Sequence, residues 1–480
     1  MHSTVTASVL SLLLTGTAAE TILGAYIFHR HGDRTPKALA PTNLTTLGYE
    51  QVYTSGQYFR SRYLTGSDKI RGINQDQVKL SQLAVTAPVD NVLQTSAMGF
   101  LQGLYPPTEN VQLLANGKPV QAPMDGYQLI PVNTISTGAG SEDAGWLQDA
   151  TSCYNAKVSS NSYFDSAEYS RAASITKDFY SSLVPVVNGT LNQKDVTFKN
   201  AYIVYDLINV ASIHNSSIPS SGTLTPETLF QTRALADAHE WGLAYNASDN
   251  LRAIAGMQLA GEILKYMNST ISAGKAGTSA NKLGIQFGAY ATMLSFFGLT
   301  DLDKASQDFR GVPDYASALV FELFTTKDVA TGGFPATDDL QVRFLFHNGT
   351  VTNTSTPTVY PLFAGKQNAL SWNDFSTQLG KVAVSTTEQW CKMCGNSTSS
   401  CAASGSNNNN SNGPVVAKGS DGGHHMSAAI GGVIGAFVTL AVVLGSLSAL
   451  MLLGGFRIVS KKALAGSAEK DGEKVMGEKA

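Results

Sequence analysis

The chain has 480 residues, of which 43% are hydrophobic and only 14% charged, with a net charge of −3 from 33 basic and 36 acidic side chains. Charge is scarce beside the roughly one quarter usual in soluble domains. No basic block stands out in the main body, which argues against nucleic acid as a partner. The length suits one large domain or two associated ones.

Residues 1–19 read as a signal peptide: an apolar run at 9–14 precedes Thr17, Ala18 and Ala19, small enough for a cleavage site. Residues 22–29 are apolar and rich in β-formers, the pattern of a buried strand. Residues 45–63 have helical spacing with Leu47, Val52 and Tyr58 inward. A second strand is expected at 82–86 and a helix at 89–104, stopped by Pro106 and Pro107. Residues 110–250 are mixed, with Gly- and Ser-rich loops, and read as an inserted, mainly helical cap. An amphipathic helix follows at 250–267, a core strand at 284–287, a helix at 291–299, and late strands at 318–324 and 342–347. Strands alternating with helices imply an α/β sheet, in which ligands lie beyond the carboxyl ends of strands.

Residues 20–394 are thus expected to form the folded ectodomain, and 395–425, rich in Ser, Asn and Gly, a flexible stalk. Residues 426–456 carry no charge. They are long enough to cross a bilayer core of about 30 Å. Arg457, Lys461 and Lys462 follow directly, which makes 457–480 a cytoplasmic tail and the protein a single-pass type I membrane protein of the secretory pathway, its body extracellular or lumenal. A glycolipid-anchor signal would end in its hydrophobic tail, whereas this chain continues with charged sequence. Nine N-x-S/T sequons, at Asn43, Asn188, Asn215, Asn246, Asn268, Asn348, Asn353, Asn396 and Asn409, all lie between the leader and the span, which fits an N-glycosylated body. Cys153, Cys391, Cys394 and Cys401 suggest up to two disulfides, with three possible connectivities. Cys391-x-x-Cys394 lacks the second ligand pair of a zinc site, so no metal is expected.

The expected first strand ends in Arg30-His31-Gly32-Asp33-Arg34-Thr35-Pro36. Two guanidinium forks match phosphate oxygens. A histidine between them is placed to attack phosphorus through a ring nitrogen and split hydrolysis into two displacements. Gly32 would let backbone approach the ligand, and Pro36 would stiffen the exit. Positioning and charge neutralisation are most of what phosphoryl transfer requires.

This heptad resembles the signature of the histidine acid phosphatases. Further stretches resemble that family in the right order, from residue 22 to about 385: LTTLGYEQ at 44–51, FRSRY at 59–63, Ser96-Ala97 with FLQGLYP at 100–106, Phe321-Glu322-Leu323, and VRFLF at 342–346. The resemblance implies a phosphoglycerate-mutase-like three-layer α/β sandwich, no cofactor, and hydrolysis of phosphomonoesters at acidic pH. It implies His31 as the phosphorylated nucleophile and Arg30 and Arg34 as phosphate ligands, with a phosphorylated small molecule as substrate. Two parts of the family's site are missing. The stretch 87–94, where a third arginine belongs, holds no basic residue, and Tyr290 and Ala291 stand where a His-Asp pair is expected, as its remnant. His239-Glu240 is a His-Glu pair placed before the 250–267 helix, on the wrong side of it, and reads as a helical surface pair. A positioned general acid contributes roughly 10²–10⁴-fold. The residues therefore fit either a phosphatase working through His31 or a catalytically impaired cell-surface binding or structural protein.

Overall fold

The computed structural model describes residues 20–134, 153–214, 223–328, 333–396 and Cys401. The chain divides into a unit of residues 1–408 and a unit of residues 409–480, and every described residue belongs to the first. The expected leader at 1–19 and span at 426–456 lie outside the described residues. Among those that are described, no helix is long and apolar enough to cross a membrane.

The chain forms a mixed α/β fold around one eight-stranded sheet. β1 (Thr21–Arg30) runs into a loop and α1 (Thr46–Arg60), followed by β2 (Leu83–Ala87) and α2 (Leu93–Leu104). A separate hairpin pairs β3 (Val111–Leu113) with β4 (Pro119–Gln121), and the short β5 (Asn133–Thr134) joins the main sheet beside β2. Five helices follow: α3 (Tyr154–Asn161), α4 (Ala167–Ile175), α5 (Lys177–Val187), α6 (Ala201–His214) and α7 (Pro226–Ala244). After them come α8 (Ile254–Lys275), β6 (Leu283–Gly288), α9 (Tyr290–Leu299), β7 (Ala318–Thr325), β8 (Gln341–His347), β9 (Thr358–Tyr360), β10 (Ala369–Ser371), α10 (Trp372–Gly380) and α11 (Thr387–Cys394). The sheet order is β10-β8-β7-β1-β6-β2-β5, with β9 beside β8. β1 pairs parallel with β6 and antiparallel with β7, so its C-terminal end lies at the centre of the sheet.

Both faces of the sheet are covered, which is why its central strands are apolar throughout. Leu23, Tyr26 and Phe28 of β1 pack on one side with Leu259, Ile263 and Met267 of α8 and Phe296 of α9. Ala25 and Ile27 pack on the other with Val52 and Phe59 of α1 and Phe100 and Leu104 of α2. Val52 and Tyr58 are buried as their spacing requires, while Leu47 is only half-buried. α2 starts four residues later than its periodicity suggests. Asp90, in the turn after Pro88, accepts the backbone N–H of Val92 (2.8 Å) and Leu93 and so caps the helix start. The 250–267 pattern begins as a 3₁₀ turn, Asn250–Ala253, before α8.

Two disulfides are present, Cys153–Cys394 and Cys391–Cys401. The Cys391-x-x-Cys394 sulfurs are therefore bonded to other cysteines rather than to each other. Among the described residues no cluster of His, Cys, Asp and Glu is arranged to hold a metal ion.

Candidate active site

The heptad loop is seated by backbone packing. A Cβ on Gly32 would lie 2.1 Å from the Gly48 carbonyl oxygen, and one on Gly48 would lie 2.0 Å from the Asp33 carbonyl oxygen. Only two glycines allow the loop and the start of α1 to touch this closely. Gly32, expected to let the backbone approach a ligand, packs closely against the start of α1. Thr45 ties the same junction: its hydroxyl accepts the Gly48 N–H at the helix start (3.0 Å) and donates to Asp33 Oδ2 (2.5 Å).

This seating places Arg30, His31 and Arg34 at the end of β1, all at most 3% exposed. His31 Nδ1 lies 2.7 Å from the Gly32 carbonyl oxygen. A carbonyl only accepts, so Nδ1 carries the proton and Nε2 is the basic nitrogen. Arg30 donates to the Pro313 carbonyl and, at 3.4 Å, to the Tyr202 hydroxyl. Arg34 donates to that same hydroxyl at 3.3 Å and to the Thr35 carbonyl at 3.0 Å. Two guanidinium groups thus converge on one hydroxyl oxygen.

Three tyrosines form the walls. The Arg30 guanidinium lies 4.6 Å from the Tyr315 ring centre and 5.2 Å from that of Tyr290. Such contacts favour a cation over an aromatic face. Tyr290 and Tyr202 pack with ring centres 4.6 Å apart, and Tyr315 lies 5.5 Å from the His31 ring. Burial pushes the Tyr315 hydroxyl well above the usual tyrosine range, with Arg34 opposing, so it stays protonated. The Lys37 ammonium group lies 5.3 Å from the Tyr202 ring and 5.5 Å from the Tyr290 ring, adding a third cation nearby.

Carboxylates reach the same region. Asp206 is 2% exposed and pairs with Arg34 at 2.9 Å while accepting the Lys37 backbone N–H at 2.8 Å. Asp33 is fully buried and meets His214 Nε2 at 2.5 Å. At the position expected for a third arginine, the charged side chain is Asp90, engaged as the α2 cap.

Tyr290 opens α9, two residues beyond Gly288, the register partner of Arg30. Its hydroxyl donates to Glu240 Oε2 at 2.8 Å. His239 and Glu240 are therefore not the surface pair that their sequence context suggests. His239 is 4% exposed, with its ring 5.4 Å from that of Phe198, and its Nδ1 lies 2.8 Å from Glu240 Oε1. Ala291, beside Tyr290, is only partly buried and offers no polar group. Sequence reasoning missed Tyr202, Asp206, Tyr315 and Lys37. The i,i+4 spacing of Tyr202 and Asp206, which puts both on one face of α6, was the one available signal.

Comparisons with known proteins bear on the family and the fold. The family model of the histidine phosphatase superfamily (branch 2) matches residues 39–347, a span that begins just after the heptad. Lysosomal acid phosphatase of Xenopus laevis is 27% identical over 383 residues, covering 76% of this chain and 78% of that protein. Human prostatic acid phosphatase is 28% identical over 314 residues, covering 62% and 72% respectively. Among solved structures, the phytase of Citrobacter braakii matches with a TM-score of 0.51 at 15% identity, covering 78% of this chain and 99% of that one, a likeness of fold alone. With the heptad at the end of the central strand and the family match over most of the folded body, this chain belongs to the histidine phosphatase superfamily, branch 2, alongside the acid phosphatases.

Proposed function

We propose that the chain is a phosphomonoesterase of low turnover that works at acidic pH through a phosphohistidine at His31. The observation that carries this reading is the convergence of Arg30 and Arg34 on the Tyr202 oxygen, beside a histidine whose Nδ1 proton is committed to Gly32. A phosphate oxygen at that point would meet two planar cations. Nε2 of His31 attacks phosphorus, and water then releases phosphate from the phosphohistidine. The stretch 87–94, where the family resemblance expects a third arginine, holds none, so the developing charge is less neutralised and turnover is slow, and aryl phosphates, whose leaving groups need little protonation, react best. Phosphorylated small molecules are the substrate class.

Asp206 favours a second reading. Its carboxylate already occupies Arg34 at 2.9 Å, as a phosphate oxygen would, which suits a site that binds without turning over. The test is hydrolysis of p-nitrophenyl phosphate at acidic pH by the purified protein and by His31→Ala. Activity lost in the variant supports the enzyme. Absence of activity in both folded proteins supports the binding protein.

The proposed setting is a body of residues 20–394, with 110–250 as a cap, carried on a stalk and a single span at 426–456 within the secretory pathway. A relative named a lysosomal acid phosphatase fits that setting. The sequon asparagines Asn43, Asn188, Asn268, Asn348 and Asn353 are exposed, as glycan attachment requires.

A further inference from the structure

The family resemblance places a proton donor where this chain has Tyr290 and Ala291, and the structure brings a carboxyl from another helix to the Tyr290 hydroxyl. Glu240 lies in the last turns of α7, fifty residues before Tyr290. Its side chain is 12% exposed and both oxygens are held: Oε1 by His239 Nδ1 at 2.8 Å, Oε2 by the Tyr290 hydroxyl at 2.8 Å. His239 is in turn fixed among the rings of Tyr163, Phe164 and Phe198. A carboxyl gripped this way is oriented, as a catalytic group is and a solvated surface glutamate is not. The Tyr290 ring stands against Arg30 and Tyr202, two of the three groups that meet at the proposed phosphate-binding point.

We propose that Glu240 and Tyr290 together donate the leaving-group proton, Tyr290 as the catalytic residue facing substrate and Glu240 as the positioning residue and proton source behind it. This inference rests on the phosphohistidine reading given above. As His31 Nε2 bonds to phosphorus and the P–O bond to the leaving group breaks, the departing oxygen takes the Tyr290 proton. The step begins with Glu240 protonated and its 2.8 Å bond to Tyr290 reversed, the carboxyl donating; Tyr290 takes that proton as it gives up its own, leaving a carboxylate that again accepts from the Tyr290 hydroxyl. When water attacks the phosphohistidine, its proton returns by the same path, and the N–P bond breaks to release phosphate. The two transfers occur together, so no tyrosinate accumulates. Ala291 needs no chemical role.

The test compares kcat/KM for p-nitrophenyl phosphate and for glycerol 2-phosphate in the full-length protein and in Glu240→Gln, Tyr290→Phe and His31→Ala. The alkyl leaving group needs a proton and the nitrophenolate does not. Glu240→Gln and Tyr290→Phe are expected to lower the glycerol 2-phosphate value by about 10²-fold, the lower end of a general acid's contribution, with less than about a tenfold change for the aryl ester. The ratio of the two substrates cancels any loss of folded protein. Equal losses on both substrates, or no loss on either, would overturn the pair as proton donor while His31-dependent aryl hydrolysis still upheld the phosphohistidine reading. Absence of His31-dependent hydrolysis in the unaltered protein would overturn both.

Discussion

Replacing Asp206 by asparagine should weaken the fold and strengthen phosphate binding at once. Asp206 is almost fully buried, 2.9 Å from Arg34, and also accepts the Lys37 N–H at 2.8 Å and the Tyr315 hydroxyl at 3.4 Å. At that separation the gross attraction is about 6 kcal/mol for an effective dielectric of about 20. The cost of desolvating both ions offsets much of it. Removing one partner of a buried pair nevertheless costs roughly 3–5 kcal/mol, because the other charge stays buried. Arg34 would keep its hydrogen bonds to the Thr35 carbonyl at 3.0 Å and the Tyr202 hydroxyl at 3.3 Å, neither of which carries a full negative charge to replace the carboxylate. Without ligand, Asp206→Asn should therefore melt several degrees lower. With ligand the order changes. In the parent protein phosphate must displace a carboxylate from Arg34, whereas in the variant it meets an uncompensated guanidinium group. One charged hydrogen bond is worth roughly 1.5–3 kcal/mol, so inorganic phosphate should bind about 10- to 100-fold more tightly. Thermal melts across a phosphate titration measure both effects. A variant that melts with the parent, or that responds to phosphate as the parent does, would refute the view of Asp206 as an internal competitor for the anion site.

Other expectations concern the frame around the site. His29, wedged between Phe100 and Phe287, is held down to about 4 by burial. Its folded pKa lies below its unfolded value, so its stabilising contribution is complete above about 6.5 and is lost as pH falls toward 4, by up to roughly 3 kcal/mol. His29→Phe should flatten the fall in melting temperature across that window, and an unchanged slope would count against the assignment. Cys153–Cys394 closes 241 residues and Cys391–Cys401 closes 10. Chain entropy then gives losses of about 5.5 and about 2.7 kcal/mol, so serine replacement at Cys153 and Cys394 should lower denaturant midpoints more than replacement at Cys401. Gly48→Ala would drive a Cβ to 2.0 Å from the Asp33 carbonyl, and it should cost phosphate binding as well as stability, read by the same phosphate titration.

The sequence carried the local parts of this fold well. β1, β6 and β7 are largely apolar runs whose burial follows from composition, and the heptad stands out as a charged string at the end of such a run. The rest of the site depends on contacts between distant segments. Tyr202 and Asp206 meet Arg34 across 168 and 172 residues. Neither sits in a recognisable motif. His239 and Glu240 looked like surface residues because nothing local marks a helix face that will be covered. Only the packing of α7 against the start of α9 brings Glu240 to Tyr290. The late start of α2 has a local cause, since Pro88 and Asp90 form a capped turn that periodicity cannot register.

The central claim is that His31 carries the phosphoryl group. The most direct measurement mixes the protein with ³²P-labelled p-nitrophenyl phosphate at acidic pH, quenches into base, where a phosphohistidine survives, and maps the label by peptide mass analysis. The account expects label on the peptide containing His31 and none in His31→Ala. Label on another residue, or rapid hydrolysis without any label in the unaltered protein, would contradict it.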